Sequence, residues 1–302
     1  MLARCLMAGM LLPALCSSEG TGTFRAGSSL VLVNVSALDS HDRPVTGLSR
    51  EDFHVLDNGR EQPIRSFAHD DAPLSVAIVL DSSGSMGRKW NRACAMLARL
   101  CEQLGPEDEF FLVTVQQRAR LLLDYTSNCG TMQNRLVMAK PHGMTALLDA
   151  IPLAVEHLRK AAHPRHAILI ISDGGENASR VRLHDVRRQA REANAPVYAA
   201  TLGLEAEFDQ GPYLDARRGP ELLREIAQIT GGRAFSIQES RRIEEAAAGI
   251  ARELHDQYVI GFESPDTAHD GQHHRISIKV RREFNAPRLS LFYRTGYRAP
   301  EE

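Results

Sequence analysis

Three side chains that carry oxygen occupy every second position directly after an apolar run, and this spacing indicates cation binding. The run 74–80 is rich in β-branched residues and predicts a strand that is buried on both faces. Asp81, Ser83 and Ser85 follow it, and Gly84 allows a tight backbone path between the serines. Because these side chains offer only oxygen, they favour a small hard cation such as Mg²⁺. Because the set contains only one carboxylate, a bound divalent ion would keep a net positive charge and attract a further acidic ligand. This property suits binding of a partner better than catalysis.

A second apolar run brings two more oxygen donors. Residues 167–172 predict another buried strand, and Asp173 follows it. Thr145 comes just before a predicted amphipathic helix, between the two strands in the sequence. In open α/β sheets, ligands bind beyond the carboxyl ends of the strands, where the strand order reverses. We therefore expect five side chains to converge at one edge of a sheet: Asp81, Ser83, Ser85, Thr145 and Asp173. Glu176 follows nearby and could add charge near the cation, but we expect it to be a solvent-facing loop acid.

The pattern D-x-S-x-S, then T, then D resembles the metal-ion-dependent adhesion site of von Willebrand factor type A domains. Carried over by position, Asp81, Ser83 and Ser85 match the first element, Thr145 the second and Asp173 the third. Met144 departs from the pattern, since the family usually has a small residue there. The resemblance implies a binding module in which Mg²⁺, or Mn²⁺ or Ca²⁺, recruits a Glu or Asp side chain of a partner protein.

Two other functions compete with this interpretation. A metal-assisted hydrolase would use Asp81 as a nucleophile or the cation as a Lewis acid. Aspartyl phosphoryl transfer needs a second acid where Ser83 stands, and serine catalysis needs a histidine held at the nucleophile, whereas His142 is expected to be a loop residue. The other alternative is a structural assembly subunit that works without metal. We predict a non-enzymatic, adhesion-type module.

Composition is ordinary for a soluble globular protein and excludes few partners. The 302 residues are 43% hydrophobic and 25% charged, with a formal net charge of −2. This balance does not favour nucleic acid or an anionic membrane surface as a partner. No apolar stretch reaches the roughly 20 residues of a membrane-spanning helix. Nothing in the composition indicates the oligomeric state.

The first residues predict export. Residues 1–18 combine a positive start with an apolar run and are interpreted as a signal peptide, with 19–28 as a flexible linker. We expect a periplasmic or extracellular protein. A lipid anchor on Cys16 is an alternative, although Leu15 is large for the residue that precedes a lipidated cysteine.

Three cysteines remain after the predicted signal peptide. Cys94 and Cys101 lie on one predicted helix about 10.5 Å apart, too far to bridge. Cys129 could pair with either of them. We expect buried free thiols that act as small hydrophobes.

Strand and helix patterns place these residues in an α/β fold. Between the flanks, strands alternate with helices predicted over 89–104, 146–161, 182–194, 220–229 and 240–256, which is typical of a doubly wound, mostly parallel sheet of the Rossmann type. The runs 109–115 and 119–124 predict a hairpin with one antiparallel edge strand. We assign this domain to residues 73–256.

The two flanks, 29–72 and 257–302, each have strand patterns but too few strands for a core of their own. We predict that they join in one small β-sandwich, although two separate extensions are an alternative. The segments 47–53, 57–59 and 257–261 resemble exported bacterial proteins related to the same family.

Overall fold

The computed structural model describes residues 30–69, 72–203, 215–264, 271–281 and 288–299. The predicted signal peptide, the linker and Cys16 lie outside these ranges. The fold consists of a six-stranded, mostly parallel sheet and two four-stranded antiparallel sheets. This arrangement confirms the predicted fold class.

The apolar run at 74–80 forms the central strand of the six-stranded sheet and is buried along its whole length. The strands of this sheet are β5 (Leu74–Asp81), β6 (Glu109–Val115), β7 (Ala119–Thr126), β8 (Arg165–Ser172), β9 (Val197–Leu202) and β10 (Ala234–Ile237). Their spatial order is β10-β9-β8-β5-β6-β7. After β5 the chain moves to β6 on one side and later returns to β8 on the other, so the strand order reverses at β5. Its carboxyl end is therefore the expected position for a ligand.

Helices cover both faces of this sheet and bury two separate apolar cores. The helices are α1 (Trp90–Cys101), α2 (Cys129–Met138), α3 (Leu147–Leu158), α4 (Leu183–Glu192), α5 (Asp215–Thr230) and α6 (Ile243–His255). The core on one face includes buried residues of α1, α2 and α6, whereas the other includes residues of α3, α4 and α5. The last helix buries one apolar stripe, formed by Ile243, Ala247, Ile250 and Leu254.

Helix α2 was not predicted from the sequence, and its position allows two cysteines to form a disulfide. Asn128 caps this helix through its Oδ1, which accepts a hydrogen bond from the Thr131 amide at 3.0 Å. Cys129, in the first turn, forms a disulfide with Cys101 at the end of α1. The expectation of free thiols is therefore wrong for this pair and holds only for Cys94. The pairing needed the packing of α2 beside α1, which helical spacing alone does not reveal.

The flanks build the β-sandwich that their patterns predicted. Its strands are β1 (Leu30–Leu38), β2 (Phe53–Asp57), β3 (Arg60–Gln62), β4 (Ile64–Ala68), β11 (Tyr258–Glu263), β12 (His273–Val280), β13 (Ser290–Tyr293) and β14 (Gly296–Arg298). Strands from the two ends of the chain pair directly: β1 lies between β11 and β13, and β2 pairs with β12. The sheets have the orders β13-β1-β11-β4 and β14-β12-β2-β3 and share one buried apolar cluster. Neither flank supplies a complete sheet alone.

Charged side chains join the sandwich to the helical layer. Arg233, before β10, lies 3.0 Å from Asp42 of the sandwich and 2.5 Å from Glu253 of α6. Glu253 is only 2% exposed, and its burial raises its pKa to about 7 although the Arg233 charge acts in the opposite direction.

Among the described residues, no helix is both long and apolar enough to span a membrane.

Candidate metal site

The carboxyl ends of β5 and β8 bring the predicted side chains to one edge of the sheet. Asp81 is the last residue of β5, and Asp173 follows the end of β8. Ser83 and Ser85 lie in the turn after β5, which contains a short 3-10 helix over Gly84–Met86. Thr145 comes shortly before α3, in a loop that hydrogen-bonds to the β5 turn through the Gly84 amide and the Gly143 carbonyl at 3.0 Å.

Asp81 is fully buried, and both of its carboxylate oxygens have donors. Oδ1 accepts from the Ser83 amide at 2.9 Å, and Oδ2 accepts from the Ser172 hydroxyl at 2.6 Å. The pKa of Asp81 is raised to about 6, chiefly by burial and also by the nearby Asp173 charge, whereas the hydrogen bonds from Ser172 and Ser83 act to lower it. Asp81 is thus a desolvated acid whose ionised form would be favoured by a cation.

Three of the predicted oxygen donors lie around Gly175, and a fourth contacts one of them. A Cβ atom built on Gly175 would lie 3.3 Å from Asp173 Oδ1, 3.4 Å from Thr145 Oγ1 and 3.9 Å from Ser85 Oγ. Ser83 Oγ is in turn 3.1 Å from Ser85 Oγ. The absence of a side chain at Gly175 therefore leaves a small space bordered by a carboxylate and hydroxyls. With the Asp81 contact to Ser83, the structure brings all five predicted residues into one network.

The donor chemistry of this network fits a hard divalent cation. Two carboxylates and three hydroxyls are oxygen ligands of the type that Mg²⁺ and Mn²⁺ accept. Within the described part of the chain, no three His, Cys, Asp or Glu side chains cluster as a metal site. A cation at this sheet edge would therefore depend on the hydroxyls of Ser83, Ser85 and Thr145 as well as on the two carboxylates.

Glu176 has a structural role that the sequence analysis missed. Its Oε2 accepts from the Leu148 amide at 2.9 Å and from the Ser179 hydroxyl at 2.7 Å, so it satisfies the first turn of α3. Asn177 Oδ1 accepts from the Thr145 amide at 2.8 Å. The expectation of a solvent-facing acid is wrong, because Glu176 and Asn177 hold the Thr145 loop against the Asp173 loop.

Helix α5 fixes the Asp173 loop from the other side. Gly174 has a φ of +88°, a conformation that favours glycine, and its backbone packs against Gly219 in α5. A Cβ on Gly219 would overlap the carbonyl of Gly174. Two glycines are therefore needed for this close backbone approach. A cleft of about 340 Å³ opens beside it, bordered by Gly174, Glu176 and Leu222 among others.

Lys89 is a site residue that sequence reasoning did not find. Its Nζ lies 3.0 Å from Asp173 Oδ2, and the two side chains are 5% and 9% exposed. Lysine is almost never buried without a partner, so a lysine just before a helix gave no sequence signal of a buried role. The ion pair places one positive charge directly on one of the predicted ligands.

The Nδ1 atom of His142 hydrogen-bonds to its own loop and to Gln116, not to Ser83 or Ser85. That atom lies 2.8 Å from the Lys140 carbonyl oxygen and 3.1 Å from Gln116 Nε2. Serine catalysis would need this ring to be oriented at a nucleophile. The arrangement agrees with the expected loop role of His142.

Comparison with known proteins connects this geometry to one family. Residues 76–176, which contain all five predicted ligands, match the family model of the von Willebrand factor type A domain. The chain is 27% identical over 168 residues to inter-alpha-trypsin inhibitor heavy chain H4 of Bos taurus, which covers 50% of the chain and 18% of that protein. It is 25% identical over 196 residues to an uncharacterized protein of Borreliella burgdorferi, which covers 58% of the chain and 57% of that protein. The chain therefore spans less than two thirds of either relative.

A solved structure shares the fold at low sequence identity. The von Willebrand factor type A protein from Catenulispora acidiphila superposes with a TM-score of 0.50 at 12% identity, covering 92% of the chain and 76% of that structure. At this identity, the likeness concerns the fold alone.

Proposed function

We propose that this chain binds partner proteins through a divalent cation held at the carboxyl end of β5, because residues 76–176 form a von Willebrand factor type A domain, a class of interaction module rather than of enzyme. The partner would present a Glu or Asp side chain to that cation. The observation that carries the proposal is the space at Gly175, which is bordered by the oxygens of Asp173, Thr145 and Ser85.

The residues divide the work of holding the cation. Ser83, Ser85 and Thr145 supply neutral oxygens, and Asp81 and Asp173 supply charge, either directly or through water. A bound Mg²⁺ or Mn²⁺ would supply an electrophilic point for one further carboxylate oxygen. Hydrogen bonds from Ser172 and the Ser83 amide orient Asp81 in advance, so little rearrangement is needed on binding.

The surroundings of the site favour a protein partner. Ser85 is exposed, whereas Asp81, Ser83 and Thr145 are buried, so the site opens to solvent on the Ser85 side. Met144, next to Thr145, is 51% exposed and offers an apolar contact beside the predicted ligands. A partner side chain could therefore combine a charge-assisted contact in the site with apolar contact at its rim.

Export of the chain is part of the proposal. The disulfide between Cys101 and Cys129 suits an oxidising compartment, such as the periplasm or the extracellular space. This agrees with the signal peptide predicted over residues 1–18.

A metal-independent assembly subunit is the second candidate, and one observation favours it. Lys89 already neutralises Asp173 through a buried ion pair, so the site does not need a metal to balance this carboxylate. In that case the same surface would bind its partner through apolar and hydrogen-bonding contacts alone.

Calorimetric titration of Mg²⁺ and Mn²⁺ separates the two candidates. We expect saturable binding by the wild-type protein and its loss in Asp81→Asn, because the carboxylate at the centre of the network becomes neutral. Asp124→Asn is the matched control, since that side chain is 72% exposed on β7. Absence of binding by folded wild-type protein at about 10 mM metal, above the weakest extracellular cation sites, would contradict the metal-dependent mechanism and leave the assembly subunit.

A further inference from the structure

Helix α4 carries three arginines at the junction with the β-sandwich. Arg187 and Arg188 lie four and three residues before Arg191, so the three side chains are neighbours on the helix surface. With His184, one turn earlier, they line a cleft of about 230 Å³ between α4 and the sandwich. Like charges at these spacings repel each other and lower the stability of a helix. The stability of α4 therefore gives no reason for this concentration of positive charge.

The sandwich supplies the rest of the cleft. His273 of β12 and Arg298 of β14 are directly opposite each other in the antiparallel ladder, and both line the cleft. The His273 ring packs against Gly296 of β14, where a Cβ atom would overlap it. Glu192 is the one carboxylate among the described residues that line the cleft. Nitrogen donors from two separate parts of the fold therefore surround one small space.

The arginines of α4 differ in how their charges are compensated. Arg187 pairs with Glu225 at 2.6 Å, and Arg188 pairs with Asp185 at 3.2 Å. Arg191 is half-buried, and within the described ranges no carboxylate forms an ion pair with it. Its Nε is buried without a hydrogen-bond partner. Because a partly buried charge without a counter-ion is unfavourable, an anion from outside the chain would stabilise Arg191.

The charge of Arg191 acts across the cleft on the sandwich. The pKa of His273 lies below its ordinary value, first because the ring loses solvent and second because the Arg191 charge disfavours another positive charge nearby. His274 acts in the same direction. The cleft thus has a positive potential, which attracts anions.

We propose that the cleft between α4 and the sandwich binds a phosphate group, either as free phosphate or as the phosphate monoester of a small molecule. A carboxylate offers two oxygens and one charge, which a single arginine can satisfy through two parallel hydrogen bonds. A phosphate monoester has three terminal oxygens and a charge of about −1.5 to −2 at pH 7, so several guanidinium groups can share it. The cleft is smaller than the roughly 300–1,000 Å³ of pockets for drug-sized ligands, which fits one such group.

Arg191 is the central residue of this site, because its guanidinium would gain the counter-ion that the chain does not supply. Arg188 is exposed and can contribute a second contact. None of the residues that line the cleft is a predicted cation ligand. Phosphate binding here is therefore independent of the proposed metal-dependent function.

Calorimetric titration of inorganic phosphate into the full chain tests the site. The buffer is depleted of divalent cations, so that the candidate metal site does not contribute, and chloride keeps the ionic strength constant. We expect saturable binding of one phosphate by the wild-type protein and binding at least about tenfold weaker in Arg191→Gln. Arg120→Gln is the matched control and should bind like wild type, because it removes the same charge from an exposed position on β7.

Two further comparisons define the site. Arg191→Lys keeps the charge but loses the planar pair of donors, so its affinity should lie between those of the wild type and Arg191→Gln. Glycerol phosphate in place of inorganic phosphate distinguishes the two sources of the group: tighter binding identifies an ester as the ligand, and weaker binding identifies free phosphate.

Two results would overturn the inference. One is the absence of saturable binding by folded wild-type protein up to about 10 mM phosphate. The other is an equal loss of affinity in Arg120→Gln and Arg191→Gln, which would show that only the general charge of the surface attracts phosphate. If Arg191→Gln does not fold, Arg188→Gln is judged by the same comparison with Arg120→Gln. Failure of cation binding would leave the phosphate site unaffected.

Discussion

Replacement of Gly175 by alanine should weaken cation binding without unfolding the protein. The added methyl carbon would lie 3.3 Å from Asp173 Oδ1, 3.4 Å from Thr145 Oγ1 and 3.9 Å from Ser85 Oγ. None of these distances is a severe overlap, so in the metal-free protein the neighbours need to shift by only a few tenths of an ångström. The φ angle of Gly175 is not positive, and alanine also restricts the unfolded chain, so we expect the free energy of unfolding to change by less than about 1 kcal/mol.

The effect on the cation should be much larger than the effect on stability. Mg²⁺ requires its ligands at about 2.0–2.1 Å with near-octahedral geometry, so displacements of a few tenths of an ångström matter. An apolar carbon against three of the predicted donors also prevents their common approach to one ion. Changes in the surroundings of metal ligands typically lower affinity 10- to 100-fold, and we expect at least this range, equivalent to about 1.4–2.7 kcal/mol.

Calorimetry with Mn²⁺ and urea unfolding measure the two effects separately. Gly249→Ala is the matched control, because Gly249 lies in α6, outside the candidate site. A Cβ at this position would meet only the Phe235 ring, at 3.8 Å. Gly174→Ala should behave differently from both and destabilise the fold, since its φ is +88° and its Cβ would overlap α5. Wild-type affinity for Mn²⁺ in Gly175→Ala would refute the reasoning, because the donors would then bind their cation elsewhere.

Two further predictions concern the stability of the domain and its junction with the sandwich. Replacing Cys101 and Cys129 by serine should lower the free energy of unfolding by about 3.5 kcal/mol, the chain-entropy value for a separation of 28 residues, in urea denaturation. Cys94→Ser is the control, and an unchanged midpoint in the double variant would show that the disulfide does not form. The pKa of Glu253 is about 7 in the folded protein because of burial, against 4.5 ordinarily, so its contribution to stability is present below pH 4.5 and is lost as the pH rises through 7. Compared with Glu253→Gln, wild-type protein should therefore lose on the order of 1–3 kcal/mol across this range, and parallel pH profiles of the two proteins would contradict the assignment.

Local sequence patterns predicted much of the architecture because they arise from local causes. The run at 74–80 is continuously apolar because β5 is buried on both faces in the middle of a parallel sheet. Asn58 and Gly59 form the turn of the β2–β3 hairpin because both residues adopt a positive φ, which few other residues tolerate. Helix α2 escaped prediction because Met132 and Leu136 are its only buried residues, too few to form an apolar stripe.

The β-sandwich shows where pattern reasoning needed a global argument. Alternating residues identified its strands, but their pairing joins segments more than 200 residues apart, such as β1 with β11. That the two flanks join was indicated only by their strand number, because each has too few strands to form a core alone.

The sequence by itself determined the identity and order of the five predicted ligands, because their residue types and their places after strands are local properties of the chain. Only the tertiary structure decided what surrounds them. The space at Gly175, the capping of α3 by Glu176 and the packing of Gly174 on α5 are contacts between separate elements. The ion pair between Lys89 and Asp173 is also such a contact. Its two residues are 84 positions apart in sequence and are buried together by the fold, so no local pattern predicts their pairing.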